Sequence, residues 1–215
     1  MRATNSIEDT QLAVSDQFLA YLELRKDTFF HKIPSEKIHY YLDGALAYGR
    51  KLAEEYDLID STELCRCLDV TVEMVTDNKQ RNTRGTLELT NNRKIIRIYR
   101  HSLMEIAREH SVSLELLEEA VLSHELFHLL EEQTQSTAER LEQVNTMHFL
   151  GFKRRARIRQ TREIAAHAFV KKRMKLPYLP NYWDYSWDEA MSSEDLLVIE
   201  KDFCSVMKKS DADNQ

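Results

Sequence analysis

Hydrophobic residues recur at helical spacing along most of this chain. The spacing predicts seven helices, over residues 8–30, 35–56, 60–68, 113–132, 136–149, 158–175 and 193–208. The side chains of Ser35 and Ser113 can cap the helices that begin there, and Asp60 with Glu63 matches a capping box. Only 4 Gly and 3 Pro occur among the 215 residues, which agrees with a mostly helical chain.

The period of the hydrophobic residues changes between the third and the fourth of these helices. Valines predict a strand over 69–76, and two further segments, 86–90 and 95–99, alternate or are rich in β-branched residues. The pair Asn91-Asn92 separates the last two, as a hairpin turn requires. This order predicts an α+β fold, a mostly helical domain with a small β-sheet ahead of the fourth helix.

The length of the chain suits one domain with a helical appendage. We expect an N-terminal helical extension over 1–34, the main domain over 35–180, and a C-terminal loop and helix over 181–215 packed on that same domain. No run of about 18 apolar residues occurs, so no membrane span is expected. An odd number of cysteines, 3, and an N-terminus without a signal pattern favour reduced thiols and a cytoplasmic location.

The strongest chemical signal is the segment from His124 to His128, His-Glu-Leu-Phe-His, which has the H-E-x-x-H pattern of zinc peptidases. On a helix, His124 and His128 share one face, and both imidazoles can bind one Zn²⁺. Glu125 is rotated by about 100° from His124, so it suits a general base beside the metal better than a ligand. The flanking residues are nearly all apolar, and a buried His-Glu-His set needs a partner such as a metal.

Two histidines leave a catalytic zinc site one protein ligand short, and two residues downstream are candidates. His148 follows His128 by twenty residues, and Glu163 follows it by thirty-five. Glu163 precedes Ala165 and Ala166, whose small side chains allow its helix to approach the motif helix closely. The residues alone leave two roles for Glu163 equally open, a metal ligand and an ordinary carboxylate paired with a neighbouring arginine.

With these residues the chain resembles the ImmA/IrrE-type metallo-endopeptidases. The resemblance covers about residues 38–178 and rests on the H-E-x-x-H segment, on Glu163-x-x-Ala166-x-x-Phe169-Val170, on Leu176-Pro177, and upstream on Ala45, Tyr48, Leu52, Ala53, Thr83-Arg84-Gly85 and 95–99. Phe127 stands where the family usually has Gly, and the segment between His128 and Glu163 is long. The resemblance implies a gluzincin-like zinc metallopeptidase domain with Glu163 as the third ligand. It also implies proteolysis, often of helix-turn-helix repressors.

We therefore expect a zinc-dependent endopeptidase in which Glu125 takes a proton from the attacking water and passes it to the leaving amine. His167, Tyr99 and His148 are candidates for holding substrate or orienting a ligand. The partner would be a protein or peptide substrate, such as a transcriptional repressor. The alternative is a non-catalytic regulator that keeps zinc as a structural or sensory site, and a base beside the metal argues against it.

Charge is unevenly distributed along the chain. The formal net charge is −6, yet residues 153–175 hold ten Lys and Arg and a single acid, Glu163. We interpret the segment as a solvated surface that pairs with acids such as Glu118, Glu131 and Glu132. The alternative is a docking surface for an acidic protein or for nucleic acid. The acidic total and the lack of a helix-turn-helix pattern argue against a DNA-binding protein.

Overall fold

The computed structural model describes residues 15–76, 83–149, 152–185 and 194–213, and within these ranges the fold is α+β, as the sequence predicts. The helices are α1 (Asp16–Leu24), α2 (Ile38–Glu55), α3 (Ser61–Leu68), α4 (Arg100–His110), α5 (Leu114–Glu132), α6 (Thr137–Arg140), α7 (Gln160–Met174) and α8 (Glu194–Asp213). The strands are β1 (Val70–Val75), β2 (Gly85–Thr90), β3 (Arg93–Tyr99), β4 (Val144–Phe149) and β5 (Phe152–Ala156). Short 3₁₀ turns lie at Phe30–Lys32, Ser35–Lys37 and Pro180–Asp184. None of the described helices is long and apolar enough to cross a bilayer.

Polar side chains cap two of the helices where the sequence predicts it. The hydroxyl of Ser113 accepts a hydrogen bond from the backbone of α5 at 3.1 Å, and the carboxylate of Asp60 accepts one from the amide of Glu63 at 2.8 Å. The carboxylate of Glu63 is paired within its own helix, so the second bond of a capping box does not form. The predicted cap at Ser35 is wrong, because Ser35 begins a 3₁₀ turn and Lys37 precedes α2 without a capping bond.

The three predicted strands form one sheet in which β3 is central. β1 runs parallel to β3, and β2 runs antiparallel to it through the predicted turn at Asn91-Asn92. Ile96 and Ile98 of β3 are fully buried, and α5 contacts both β2 and β3. The sheet therefore supports the helix that carries the H-E-x-x-H segment, with β2 at the sheet edge beside that helix.

The packing of α2 and α5 against α7 determines where Glu163 lies. Ala165, Ala166 and Ala168 of α7 are buried, and a β-carbon added at Gly49 of α2 would overlap the carbonyl oxygen of Ala165. On the other side, α5 packs against α7 through aromatic rings such as that of Phe127. The alanines of α7 thus allow close approach to α2. The packing of α7 on the motif helix α5, which the sequence attributed to these alanines, includes the ring contact between Phe127 and Phe169.

The two terminal helices belong to the same hydrophobic core. The ring of Phe18 in α1 lies 5.4 Å from that of Phe203 in α8, and the hydroxyl of Tyr21 donates a hydrogen bond to Asp202 at 2.6 Å. Of the helix predicted over 8–30, Asp16–Leu24 is helical, and residues 1–14 lie outside the described residues. The described part of the N-terminal segment therefore shares its packing with the main domain.

The helix predicted over 136–149 is wrong. Only Thr137–Arg140 are helical there, and the chain then forms β4, which pairs antiparallel with β5 so that Val144 lies opposite Ala156. β4 contains β-branched and aromatic residues, and once a second strand is available to pair with, they favour a strand over a helix. This correction places His148 in a strand, opposite Lys153, instead of near the end of a helix.

Candidate metal centre

The two histidines of the H-E-x-x-H segment face the first turn of α7. Nε2 of His124 lies 3.1 Å from Nε2 of His128 and 3.1 Å from Oε2 of Glu163. Nε2 of His128 lies 3.4 Å from Oε1 of Glu163. The structure thus brings together the three residues named as ligands, in a group whose ligand atoms all lie within 4.8 Å of one another. This group is called the metal group below.

The spacing within the metal group fits a tetrahedral site. With metal–ligand distances of about 2.0–2.1 Å and tetrahedral angles, neighbouring ligand atoms lie about 3.3 Å apart. Here the two Nε2 atoms lie 3.1 Å apart, and each ring faces a different oxygen of Glu163, Oε2 at 3.1 Å from His124 and Oε1 at 3.4 Å from His128. Two Nε2 atoms that face each other at 3.1 Å cannot both carry a proton, and a shared cation removes that conflict. Two imidazoles and one carboxylate are a donor set that catalytic zinc uses, with the fourth position open.

Charge within the metal group keeps Glu163 ionised. Burial raises the pKa of Glu163, but its interactions with His124 and His128 outweigh burial and hold that pKa far below its usual range. Burial lowers the pKa of His128, but the carboxylates of Glu131 and Glu163 outweigh burial and raise it to about 9. Without a metal, His128 therefore carries a proton at neutral pH, and a metal that binds must displace it.

A second carboxylate, to which the sequence pattern assigned no role at the site, lies behind His128. Glu131 is fully buried, and its Oε2 lies 3.8 Å from Nδ1 of His128, on the side away from the metal group. It accepts hydrogen bonds from Nε of Arg162 at 2.6 Å and from the hydroxyl and amide of Thr137. Burial raises the pKa of Glu131, but contacts with His128, Thr137 and Arg162 outweigh it and lower it to about 2.

At 3.8 Å the contact between Glu131 and His128 is longer than a hydrogen bond, but a buried negative charge behind the ring makes a metal-binding histidine a better ligand. The sequence does contain a signal for this role of Glu131. Glu131 stands three residues after His128 in an otherwise apolar helix, where residues at that spacing share a face and a charge needs a partner.

The predicted base, Glu125, lies on the wall of a cavity of about 460 Å³ that borders the metal group. The apolar part of the wall includes Leu103, Ile106, Leu117, Ala120 and Val121. Gly85, at the start of β2, packs directly on Glu125, because a β-carbon there would lie 2.9 Å from Oε1 of Glu125. The carboxylate is therefore confined between α5 and β2, beside the metal group and open to the cavity.

His167 also lines this cavity, one helical turn after Glu163 on α7. The centre of its ring lies 5.0 Å from that of His124, and its Nδ1 is buried without a hydrogen-bond partner among the described residues. Burial, and then the charge of His124, keep the pKa of His167 well below its usual range. His167 is therefore a neutral imidazole that can offer a hydrogen bond to a bound molecule.

The other two candidates lie elsewhere. Tyr99 ends β3 and is buried, and it is not among the residues that line the cavity. Its amide donates a hydrogen bond to the carbonyl of Arg84, and its carbonyl accepts one from the hydroxyl of Ser102. The backbone of His148 lies in β4, and its side chain lies outside the described part of the structure.

Ion pairs join the segments that form the rest of the cavity wall. Arg84, just before β2, pairs with Asp184, which ends the 3₁₀ turn after α7. Nζ of Lys26 lies 2.6 Å from the buried carboxylate of Glu23 and 3.8 Å from that of Asp184. These contacts tie the β2 side of the cavity to the end of α1.

Comparison with family models, with curated proteins and with solved structures finds no significant match to this chain. The site is therefore interpreted from its own geometry and chemistry.

Proposed function

We propose that this protein is a zinc-dependent endopeptidase with a zincin-like domain, in which His124, His128 and Glu163 bind Zn²⁺ and Glu125 is the catalytic base. The main support is that the Nε2 atoms of His124 and His128 and the two carboxylate oxygens of Glu163 form contacts of 3.1 to 3.4 Å, with Glu125 on the wall of the cavity that borders them. A structural zinc site is normally closed by four protein ligands and needs no adjacent base.

Each residue has a defined task in the proposed reaction. Bound zinc would polarise the scissile carbonyl and lower the pKa of the attacking water towards about 7. Glu125 accepts the proton of that water as the water attacks the peptide carbonyl, and delivers it to the leaving amine when the C–N bond breaks. His167, neutral and on the cavity wall, donates a hydrogen bond to the carbonyl oxygen as negative charge develops there.

The sheet edge beside the cavity suits an extended peptide. β2 pairs with β3 on one side, and no strand in the described part of the chain pairs with its other side. Because Gly85 of β2 adjoins Glu125, a peptide added along β2 would bring a backbone carbonyl close to the base. Binding through the main chain does not require a chain terminus, and this favours an endopeptidase over an exopeptidase.

The substrate that we propose is a regulatory protein, such as a helix-turn-helix repressor. This part of the proposal rests on the resemblance of the H-E-x-x-H segment and of the segment beginning at Glu163 to the ImmA/IrrE-type endopeptidases. The odd number of cysteines, 3, which favours reduced thiols, leads us to propose the cytoplasm as the place of action.

Hydrolysis of a mixed protein substrate such as casein, with and without a chelator, tests the proposal. We expect the zinc-loaded protein to release new amino groups, the chelated protein to release none, and added zinc to restore the reaction. Equal hydrolysis in both samples would exclude a metallopeptidase. Glu125→Gln keeps the shape of the side chain and removes the base, so we expect about one equivalent of bound zinc and no hydrolysis. If cells that carry the Glu125→Gln protein behave like cells that carry the wild type, hydrolysis is not needed and the protein is a non-catalytic zinc-binding regulator.

A further inference from the structure

A second cleft, of about 1130 Å³, borders the metal group on the side of the β4–β5 hairpin. Glu163 and Lys26 line both this cleft and the cavity at Glu125, so the two spaces meet at the metal group. β5, the start of α7 and the segment after α5 form its walls. A chain bound across the metal group would therefore enter this cleft on one side.

The acidic side chains that line the cleft all have partners within the protein. Glu131 and Glu132 both bind Arg162, at 2.6 and 2.7 Å, and Glu139 lies 3.3 Å from Arg157. Asp27 accepts hydrogen bonds from the backbone amides of Phe29 and Gln160, at 2.8 and 3.0 Å. The remaining carboxylate, Glu163, belongs to the metal group. Every carboxylate on the described cleft wall thus already has a partner within the protein.

Three arginines on the same wall, unlike these acids, have no partner among the described residues. Arg154 and Arg155 of β5 and Arg159, just before α7, are exposed, and their side chains make no ion pair or hydrogen bond within the described residues.

At the far end of the basic segment two lysines pair with acids other than those that the sequence suggested. Lys171 pairs with Asp16 at 2.7 Å and Lys172 pairs with a glutamate at 2.9 Å. Arg173 donates to the backbone carbonyls of Tyr56 and Ile59, and in the described part of the chain neither it nor Lys175 makes an ion pair. Three of the five basic side chains of the segment that lack an acidic partner among the described residues therefore lie at the cleft.

We propose that Arg154, Arg155 and Arg159 bind acidic side chains of the substrate on one side of the bond that is cut. This inference rests on the proposed function, since the cleft opens from the metal group. It specifies the substrate further, as a protein with an Asp- or Glu-rich stretch beside the cleavage site. A guanidinium group matches a carboxylate through two parallel hydrogen bonds, so three free arginines select for such a stretch over a neutral one.

A nucleic acid would also be attracted by three arginines, but the surroundings favour a peptide. The formal charge of the whole chain is −6, which opposes a long polyanion. Single-stranded nucleic acid usually needs aromatic side chains on which bases stack, and among the described residues Phe29 is the one aromatic side chain that lines the cleft.

The test uses the full chain carrying Glu125→Gln, loaded with zinc, so that the probe is bound and not cut. The probe is a fluorescein-labelled peptide of alternating Glu and Ser residues, compared with the same peptide in which Gln replaces Glu. We expect the acidic probe to bind more tightly than the Gln peptide, and its binding to weaken as salt is added. The triple variant in which Gln replaces Arg154, Arg155 and Arg159 should bind the acidic probe about ten-fold more weakly. Three exposed ion pairs are lost, and each contributes a small amount.

Two further triple variants serve as controls. Lys51→Gln, Arg93→Gln and Arg108→Gln remove the same charge from exposed residues outside the cleft, and they should change binding less than about two-fold. Replacing the three cleft arginines with Lys keeps the charge but removes the two-point match to a carboxylate, so the acidic probe should bind more weakly than to the wild type and more tightly than to the Gln variant. Equal losses in the cleft variant and the distant variant would mean that only net charge matters, which overturns the proposal.

Two outcomes separate this inference from the proposed function. If the wild-type protein cuts casein in a zinc-dependent way but shows no preference for the acidic probe, the peptidase stands and the acidic cleft is wrong. If the acidic probe binds through the three arginines but nothing is hydrolysed, the cleft stands as an acidic-peptide site and the peptidase is wrong. The surface would be a nucleic-acid site if oligothymidylate bound more tightly than the acidic peptide and if this binding were lost in the cleft variant.

Discussion

His128 is held from both sides of its ring. Its Nε2 belongs to the metal group, and its Nδ1 lies 3.8 Å from the buried carboxylate of Glu131. Replacing Glu131 with Gln removes the negative charge while the side chain keeps its size. We expect zinc affinity to fall by about 10–100-fold, the range found when a residue that orients a metal ligand is lost. Competition with a fluorescent zinc chelator measures the change.

Glu132→Gln is the matched control for this prediction. Glu132 also binds Arg162, at 2.7 Å, but it is exposed and makes no contact with His128. We expect its zinc affinity to stay within about two-fold of the wild type. Equal effects of the two substitutions would mean that Arg162, and not the charge behind His128, is what matters.

The third ligand gives a second prediction at this scale. Glu163→Ala should weaken zinc binding by 10-fold or more, because it removes a direct ligand. Even the loss of a residue that only orients a ligand lowers metal affinity by about 10–100-fold. His148→Ala should leave the affinity nearly unchanged, because His124, His128 and Glu163 already supply three ligands without it. Zinc titration of both variants decides between them. The opposite result would indicate a three-histidine site, and the resemblance to the ImmA/IrrE-type family would then lose its support.

At the scale of helices and strands, the close contact of α2 with α7 supports the position of Glu163. A β-carbon at Gly49 would overlap the carbonyl of Ala165 and lie 2.9 Å from the β-carbon of Ala168. Gly49→Ala should therefore destabilise the protein by about 1–3 kcal/mol in urea unfolding, the usual cost of overpacking.

Gly44→Ala, in the same helix, is its control. The new β-carbon would meet only the end of the Leu141 side chain, at 2.7 Å, and that side chain can rotate away. Since alanine is also a better helix former than glycine by about 1 kcal/mol, the effect should be small or stabilising. Similar losses of stability in both variants would show that the α2–α7 contact tolerates a larger residue.

Elements with strong local signals could be predicted from the sequence. Ser113 and the apolar run after it gave the start and end of α5, and the alternating residues around Asn91-Asn92 gave the β2–β3 hairpin. The H-E-x-x-H spacing predicted which two imidazoles face the same point. In each case the information lies within a few residues along the chain, so no knowledge of distant contacts is required.

Features that depend on contacts between distant segments could not be predicted in this way. β4 is a strand because β5 pairs with it, and its few apolar residues alone also fit a helix. Glu131 has a local signal in its spacing from His128, but its pair with Arg162, which lies 31 residues further along the chain, has none. The position of Glu163 beside the two histidines likewise depends on the packing of α7 on α5, because α7 lies far along the chain from the H-E-x-x-H segment.

At the scale of the whole molecule, a bound metal would cross-link two helices that are distant in sequence. His124 on α5 and Glu163 on α7 are 39 residues apart. A ligand that binds only the folded protein stabilises it by about 2.7 kcal/mol when the free ligand is at 100 times its dissociation constant. Zinc should therefore raise the melting temperature, a chelator should reverse the rise, and Glu163→Ala should show a much smaller rise.

The size of this rise should depend on pH through His128. Its pKa of about 9 without metal exceeds the usual value of about 6.5, so the metal-free fold gains stability from the proton at low pH and loses it as pH rises towards 9. Zinc must displace the same proton, so its binding strengthens with pH, by at most about 1.4 kcal/mol per unit. Both effects therefore increase the difference in stability between zinc-loaded and metal-free protein as pH rises. The difference in melting temperature between zinc-loaded and chelated protein should grow from about pH 6 to pH 8. A difference that shrinks over this range in calorimetric scans would contradict the charge that we assign to His128.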